Sequence, residues 1–222
     1  MSVKGKGFVK KSIRNVHHSL SHFNRIEILS NEISDLINTN FSGKRDMKAI
    51  DVGCGDMRLS EAVNEKLKST VAWTCIDVFN PTIEKGDEER WKKFMKFDGQ
   101  NIPFEDKNFD FATICDVLHH DQHNASRVVD EARRVSNFVI VKDHFEYGAF
   151  SRQVLRAMDW IGNYGYDVTI PEKYYSQSRF NEMIEKLGME IKTLKVGIDL
   201  YEHLPLIGSI PKPKWQFVAL LK

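Results

Sequence analysis

Cysteine is scarce in this chain, and its spacing gives no pairing. Cys54, Cys75 and Cys115 are the only three in 222 residues, an odd number without a CxxC. Each lies in or beside an apolar run, which reads as small buried thiols in a reducing compartment. Long apolar runs are missing too. No stretch approaches the roughly 18–20 apolar residues of a membrane span, and the first residues hold no apolar core of signal-peptide length. The expectation is a cytoplasmic protein. Nor is charge of one sign in excess. Thirty-two Lys and Arg stand against 31 Asp and Glu, whereas a chain that lives on nucleic acid usually carries a strongly basic face. A local basic excess lies at Lys4, Lys6, Lys10, Lys11 and Arg14, which read as a solvated, partly disordered arm or as a weak anion-binding or membrane-surface one. HExxH and paired CxxC motifs are absent, so no metal is expected. No internal repeat or low-complexity linker interrupts the chain, and 41% hydrophobic residues over this length suit one domain.

Within that domain, strand and helix signals alternate. Residues 12–38 space Ile13, Val16, Leu20, Phe23, Ile26, Leu29, Ile33 and Leu36 by three or four, which predicts one or two amphipathic helices. Strands are predicted at 48–52, 71–78, 94–97, 109–117 and 138–143, with helices at 58–67 and 125–135. A helix at 178–187 ends at Gly188, and two late strands lie near 189–198 and 215–221. Continuous apolar strands alternating with helices imply an α/β fold, a mostly parallel sheet covered on both faces. In such sheets ligands bind beyond the carboxyl ends of the strands, where the strand order reverses.

The first strand end reads AIDVGCGDM. Gly53 and Gly55 permit a tight turn and close approach of a ligand to bare peptide, ahead of a helix N-terminus with unpaired N–H groups. A dinucleotide fingerprint needs a third glycine three residues beyond Gly55, where this chain has Arg58. Asp51, two residues before the first glycine, would repel a phosphate and attract a cation. The turn therefore suits a nucleoside with positive charge and no phosphate. Asp77 ends the second strand, 22 residues after Gly55, where a carboxylate can accept both ribose hydroxyls. Val78 and Phe79 can pack on an adenine face, and Asp98, followed by Gly99, can accept from its amino group or simply cap an Asx turn. The fourth strand ends in CDVLHHD, which brings Asp116, His119 and His120 to the same rim.

With DVGCGDM, Asp77, the D-G-Q-x-I-P-F stretch at 98–104 and FDFATICDVLHH in this order, the chain resembles the class I S-adenosylmethionine-dependent methyltransferases over about residues 45–145. The resemblance implies a seven-stranded Rossmann-like sheet with an antiparallel last strand, and S-adenosylmethionine as cofactor. One departure is Met57, where such enzymes often have another glycine. The domain is then expected at 43–222, preceded by a helical arm or cap at 1–42, with a substrate lid at 145–176.

Methyl transfer to a hydroxyl needs alignment and a base, and histidine suits neutral pH. His119, His120, His123 and His144 are candidates. His144, in IVKDHFEYG, follows the fifth strand, the acceptor side in the resembled family; Asp143 or Glu146 can orient it and Lys142 can hold an anionic acceptor. In the lid segment, Trp160 and Tyr174 offer aromatic cover, and Asp159 and Asn163 polar contacts. The expected activity is methylation of a small-molecule acceptor, at oxygen, in biosynthesis. An RNA or protein acceptor, or a module that binds the nucleoside without chemistry, is the alternative. The acceptor's identity and the oligomeric state are not readable from the residues.

Overall fold

Alternate residues of the apolar strands part to opposite sides of one sheet, and that period of two organises the core. The computed structural model describes residues 23–81, 83, 86–162, 170–200 and 215–222, with backbone alone at 23, 161 and 162. The basic residues from Lys4 to Arg14, His17, His18 and His22, together with Asn163, Tyr164 and Tyr166, lie outside the described residues.

In chain order the elements are helix α1 (Phe23–Asn40), strand β1 (Asp46–Val52), α2 (Arg58–Asn64), β2 (Thr70–Asp77), a single turn α3 (Glu88–Trp91), β3 (Phe94–Lys96), β4 (Phe109–Cys115), α4 (Ala125–Val135), β5 (Ser136–His144), α5 (Ala149–Gly162), α6 (Gln177–Lys186), β6 (Ile191–Val196) and β7 (Gln216–Leu221). The seven strands form one sheet in the order β3-β2-β1-β4-β5-β7-β6. Strands β1 to β5 pair in parallel, and β7 runs antiparallel to both β5 and β6. The expected seven-stranded sheet with an antiparallel last strand is therefore present. Its order reverses between β1 and β4, so a crevice opens where these two strands end.

Ile50 and Val52 of β1, Ala112 and Ile114 of β4, Val139 and Val141 of β5 and Phe217, Ala219 and Leu221 of β7 face one side. There Val129 and Ala132 of α4 and Phe180 and Ile184 of α6 cover them. Ala49, Phe111, Ile140, Val218 and Leu220 face the other side, under Leu29, Ile33 and Ile37 of α1 and Val63 of α2. Each fully buried Ile, Leu or Phe contributes about 1.5–3 kcal/mol through removal from water, which fixes strand register against a one-residue slip.

Local chemistry sets the ends. The Ser176 hydroxyl accepts from the Arg179 N–H and caps α6. Gly188 stops the same helix at φ 66°, with the Gly188 N–H on the Glu185 carbonyl and the Met189 N–H on the Ile184 carbonyl, a Schellman closure. Helix α4 passes straight into β5 at Ser136, whose hydroxyl meets the Ala132 carbonyl at 2.6 Å. That junction places the far end of β5 beside the end of β4. No helix among the described residues is long and apolar enough to cross a membrane.

Candidate functional site

At the end of β1 the chain turns by φ 73° at Gly53 and φ 55° at Gly55. The two glycines are needed for different reasons. A Cβ on Gly53 would lie 2.3 Å from a methyl of Val117, so packing excludes it. At Gly55 nothing lies within 4 Å of that position, leaving open space over bare peptide. The Gly53 and Cys54 N–H groups both donate to the Ile76 carbonyl, at 2.8 and 3.1 Å, tying the turn to β2. Met57 starts α2 at φ 63° and is buried. This left-handed backbone is where a glycine fits without strain, and Met carries it at about 1–2 kcal/mol. Its side chain offsets more than that. Met57→Gly is expected to lower stability by about 1–4 kcal/mol, because a buried Met truncation costs about 2–5; thermal unfolding measures it.

Asp77 is fastened to the same turn. Its Oδ2 accepts the Gly55 N–H at 2.9 Å and its Oδ1 the Val78 N–H at 2.7 Å. Burial raises its pKa, with those N–H groups pulling the other way. Val78 and Phe79 beside it are 54% and 38% exposed, and Phe79 leans on Trp91 and Phe94. Asp98 caps its own turn, accepting from the Gln100 and Asn101 N–H groups and the Asn101 side chain. Gly99, at φ 79°, passes under Val78.

Asp51 is buried, and its Oδ1 accepts from the Thr113 hydroxyl at 2.7 Å across the β1–β4 pairing. Burial pushes its carboxyl up to about 6, against hydrogen bonds from Thr113 and Ser60 and with the Asp77 charge assisting. The folded value lies above the unfolded 3.8, so ionising Asp51 costs stability as pH rises from about 4 to about 6. Asp51→Asn is expected to stabilise the ligand-free protein at pH 8 by up to about 3 kcal/mol and to change little at pH 4. Denaturant titrations at the two pH values measure the difference.

The second half of the crevice is built from the ends of β4 and β5. Asp116 leaves β4 at φ 57° and receives Lys142 at 2.5 Å and Arg25 of α1. Lys142 is fully buried. Burial works against the Asp116 carboxylate, yet Lys142 and Arg25 outweigh it and hold its pKa well below the ordinary range. Burial lowers the Lys142 pKa, with Asp116 opposing.

Next to this pair, Asp143 Oδ1 lies 2.6 Å from His119 Nδ1 and 3.0 Å from His144 Nδ1. All three side chains are buried. One carboxylate so placed acts on both rings, and their pKa values move in opposite directions. For His119, burial is outweighed by Asp143 and the pKa rises. For His144, burial and the Lys142 charge lower it, leaving a neutral ring. Asp143 itself is held far down, burial yielding to His119 and His144. The Nε2 atoms face Asp159 of α5, at 3.6 Å from His119 and 3.7 Å from His144. The Tyr174 hydroxyl donates to Asp159 at 2.5 Å.

The fold thus brings Asp116, His119, Lys142, His144, Asp159 and Tyr174 together, with His120 tilted against His119 at 4.1 Å between ring centres. It keeps others apart. Trp160 is 59% exposed. Glu146 pairs with Arg152 and accepts the Tyr174 N–H, and it is Asp143 whose carboxylate hydrogen-bonds the His144 ring. Lys142 points into Asp116 rather than toward open space.

Comparison with known proteins agrees with this geometry. A family described as a methyltransferase domain matches residues 50–137, the stretch from β1 to β5. Over residues 50–137 the chain matches a methyltransferase domain, and its fold is that of the class I S-adenosylmethionine-dependent methyltransferases. No curated protein sequence matches it. Solved structures with the same fold include an S-adenosylmethionine-dependent methyltransferase from Aquifex aeolicus, at 16% identity over 95% of this chain and 97% of that one, TM-score 0.57. A magnesium protoporphyrin IX methyltransferase from Synechocystis with bound S-adenosylhomocysteine aligns at 13% identity over 96% and 86%, TM-score 0.61. A 1,6-didemethyltoxoflavin-N1-methyltransferase from Burkholderia thailandensis, also with S-adenosylhomocysteine, aligns at 11% identity over 98% and 88%, TM-score 0.59.

The crevice suits S-adenosylmethionine: open space at Gly55 and a half-buried carboxylate at Asp77. Two site contacts of the methyltransferase are invisible in its sequence. Thr113 meets Asp51 only because β4 lies next to β1, and Arg25 reaches Asp116 across 91 residues.

Proposed function

We propose that this methyltransferase methylates an oxygen of a small, hydroxyl-bearing acceptor in biosynthesis, with His144 taking the proton. The observation that carries the reading is the His144 ring itself: its pKa lowered by burial and Lys142, held at Nδ1 by Asp143, with Nε2 facing Asp159 beyond hydrogen-bond distance at 3.7 Å. A neutral imidazole held at one nitrogen and open at the other can accept a proton near neutral pH. His119, on the same carboxylate, has its pKa raised by Asp143, and the His120 ring lies against it. When bound, S-adenosylmethionine supplies an electrophilic methyl on a sulfonium.

In this reading Asp77 holds the ribose hydroxyls, Val78 and Phe79 cover the adenine, and Asp98 and Gly99 line its edge. Gly53 and Gly55 shape the turn under the methionine end, and Asp51 complements the positive charge with Asp116 nearby. Residues 145–176 form the acceptor cover, supported by the way Asp159 and Tyr174 reach the histidines. The exposed Trp160 belongs to its rim. Residues 1–42 act as a helical cap on a domain at 43–222, and Lys142 acts on the acceptor through Asp116. Three free cysteines support a cytoplasmic setting.

Incubation with methyl-labelled S-adenosylmethionine and a fractionated metabolite extract tests this. Label in a small molecule, stable to mild alkali as an ether is, is expected. Label found only in RNA or protein would replace the small-molecule reading. Cofactor binding with no label anywhere would leave a binding module without chemistry.

A further inference from the structure

Asp116, His119, Asp143 and His144 offer ligand atoms that all lie within 4.8 Å of one another. Their contacts separate two tiers. Asp116 is engaged by Lys142 and Arg25, and Asp143 Oδ1 sits behind both rings at their Nδ1 atoms. What remains is a pair of Nε2 atoms facing the two oxygens of one carboxylate. His119 Nε2 is 3.6 Å from Asp159 Oδ2, and His144 Nε2 is 3.7 Å from Asp159 Oδ1. Those separations are too long for hydrogen bonds. Nitrogen and oxygen atoms that share an ion at about 2.0–2.2 Å lie about 3.4–3.6 Å apart at tetrahedral or trigonal angles. Each nitrogen–oxygen pair is spaced about as two ligands of one ion are.

We propose that His119 Nε2, His144 Nε2 and Asp159 bind a divalent transition-metal ion. Asp143 fixes both imidazoles from behind, as outer carboxylates do for metal-bound histidine, and the Tyr174 hydroxyl fixes the third ligand from its far side. Three protein ligands leave at least one coordination position for water or acceptor. Two nitrogens and one carboxylate favour cobalt, nickel, zinc or ferrous ions over magnesium and calcium, which prefer oxygen. The consequence rests on the reading of His144 as base. An ion on Nε2 occupies the lone pair that would take the acceptor's proton, so metal binding and methyl transfer exclude each other, and the ion is an inhibitor.

The test is a cobalt(II) titration of the full chain, followed by visible d–d absorption, with label transfer measured in the same samples. One ion per chain is expected, with activity falling as the site fills and returning on chelation. His119→Ala, Asp159→Asn and His144→Gln should each weaken uptake by about 100-fold, in the range of a lost ligand or more. His123→Ala, an exposed histidine, should keep it. Calorimetry with S-adenosylhomocysteine shows that each variant is folded. Millimolar magnesium should neither bind nor inhibit. Uptake indifferent to all three ligand variants overturns the site, as does no uptake at all, and both leave the methyl-transfer reading standing. Cobalt bound at these residues with activity rising keeps the site and overturns His144 as base.

Discussion

His144→Ala is expected to lower kcat by about 10²–10⁴, the usual contribution of a positioned base, while binding of S-adenosylhomocysteine stays within about threefold. The split follows from where the ring sits. His144 ends β5 and touches Asp143 and Asp116, whereas the glycine turn and Asp77 lie at the ends of β1 and β2. Removing the ring leaves the 2.6 Å His119–Asp143 contact and the Lys142–Asp116 pair in place, so the buried charges keep their partners. A loss in both kcat and cofactor affinity would mean instead that the ring supports the fold. Initial rates and calorimetry on the same preparation separate the two.

Asp77→Ala has the opposite signature. Its carboxylate holds the Gly55 and Val78 N–H groups at the tip of β2, where the proposed ribose contact lies. Charge-assisted hydrogen bonds contribute about 1.5–3 kcal/mol each, so affinity for S-adenosylhomocysteine should fall by at least about 100-fold. Asp77→Asn keeps one acceptor oxygen and should fall between. Stability should suffer little, because burial already disfavours the Asp77 charge. An alanine variant with unchanged affinity would move the ribose away from β2.

Most of the fold is legible in the sequence, because alternation and helix spacing are local. Helix α4 begins and ends where its apolar spacing does, at Ala125 and Val135. Glycine stops such as Gly188 are equally local. The cofactor half of the site is legible for a related reason: Gly53, Gly55 and Asp77 mark strand ends, and strand ends in a parallel sheet share one rim. Even there, Gly53 turns out to be set by Val117 from another strand's end. Around His144 the residues are legible as candidates, but their contacts are not. Asp159 is only a polar residue on an apolar helix, and His119 and His144 stand 25 positions apart. Their meeting on Asp143 depends on β4 lying beside β5 and on α5 folding back over both. Arg25 gives no signal at all, since α1 reads as an amphipathic helix whatever its polar face touches.

The measurement that bears most directly on the account is a calorimetric titration of the purified chain with S-adenosylhomocysteine, beside one with NAD. The account predicts one site of micromolar affinity for the first and no binding of the second, as the missing glycine at Arg58 and the carboxylates at Asp51 and Asp77 require. A folded protein that leaves S-adenosylhomocysteine unbound, or binds NAD in its place, would contradict it.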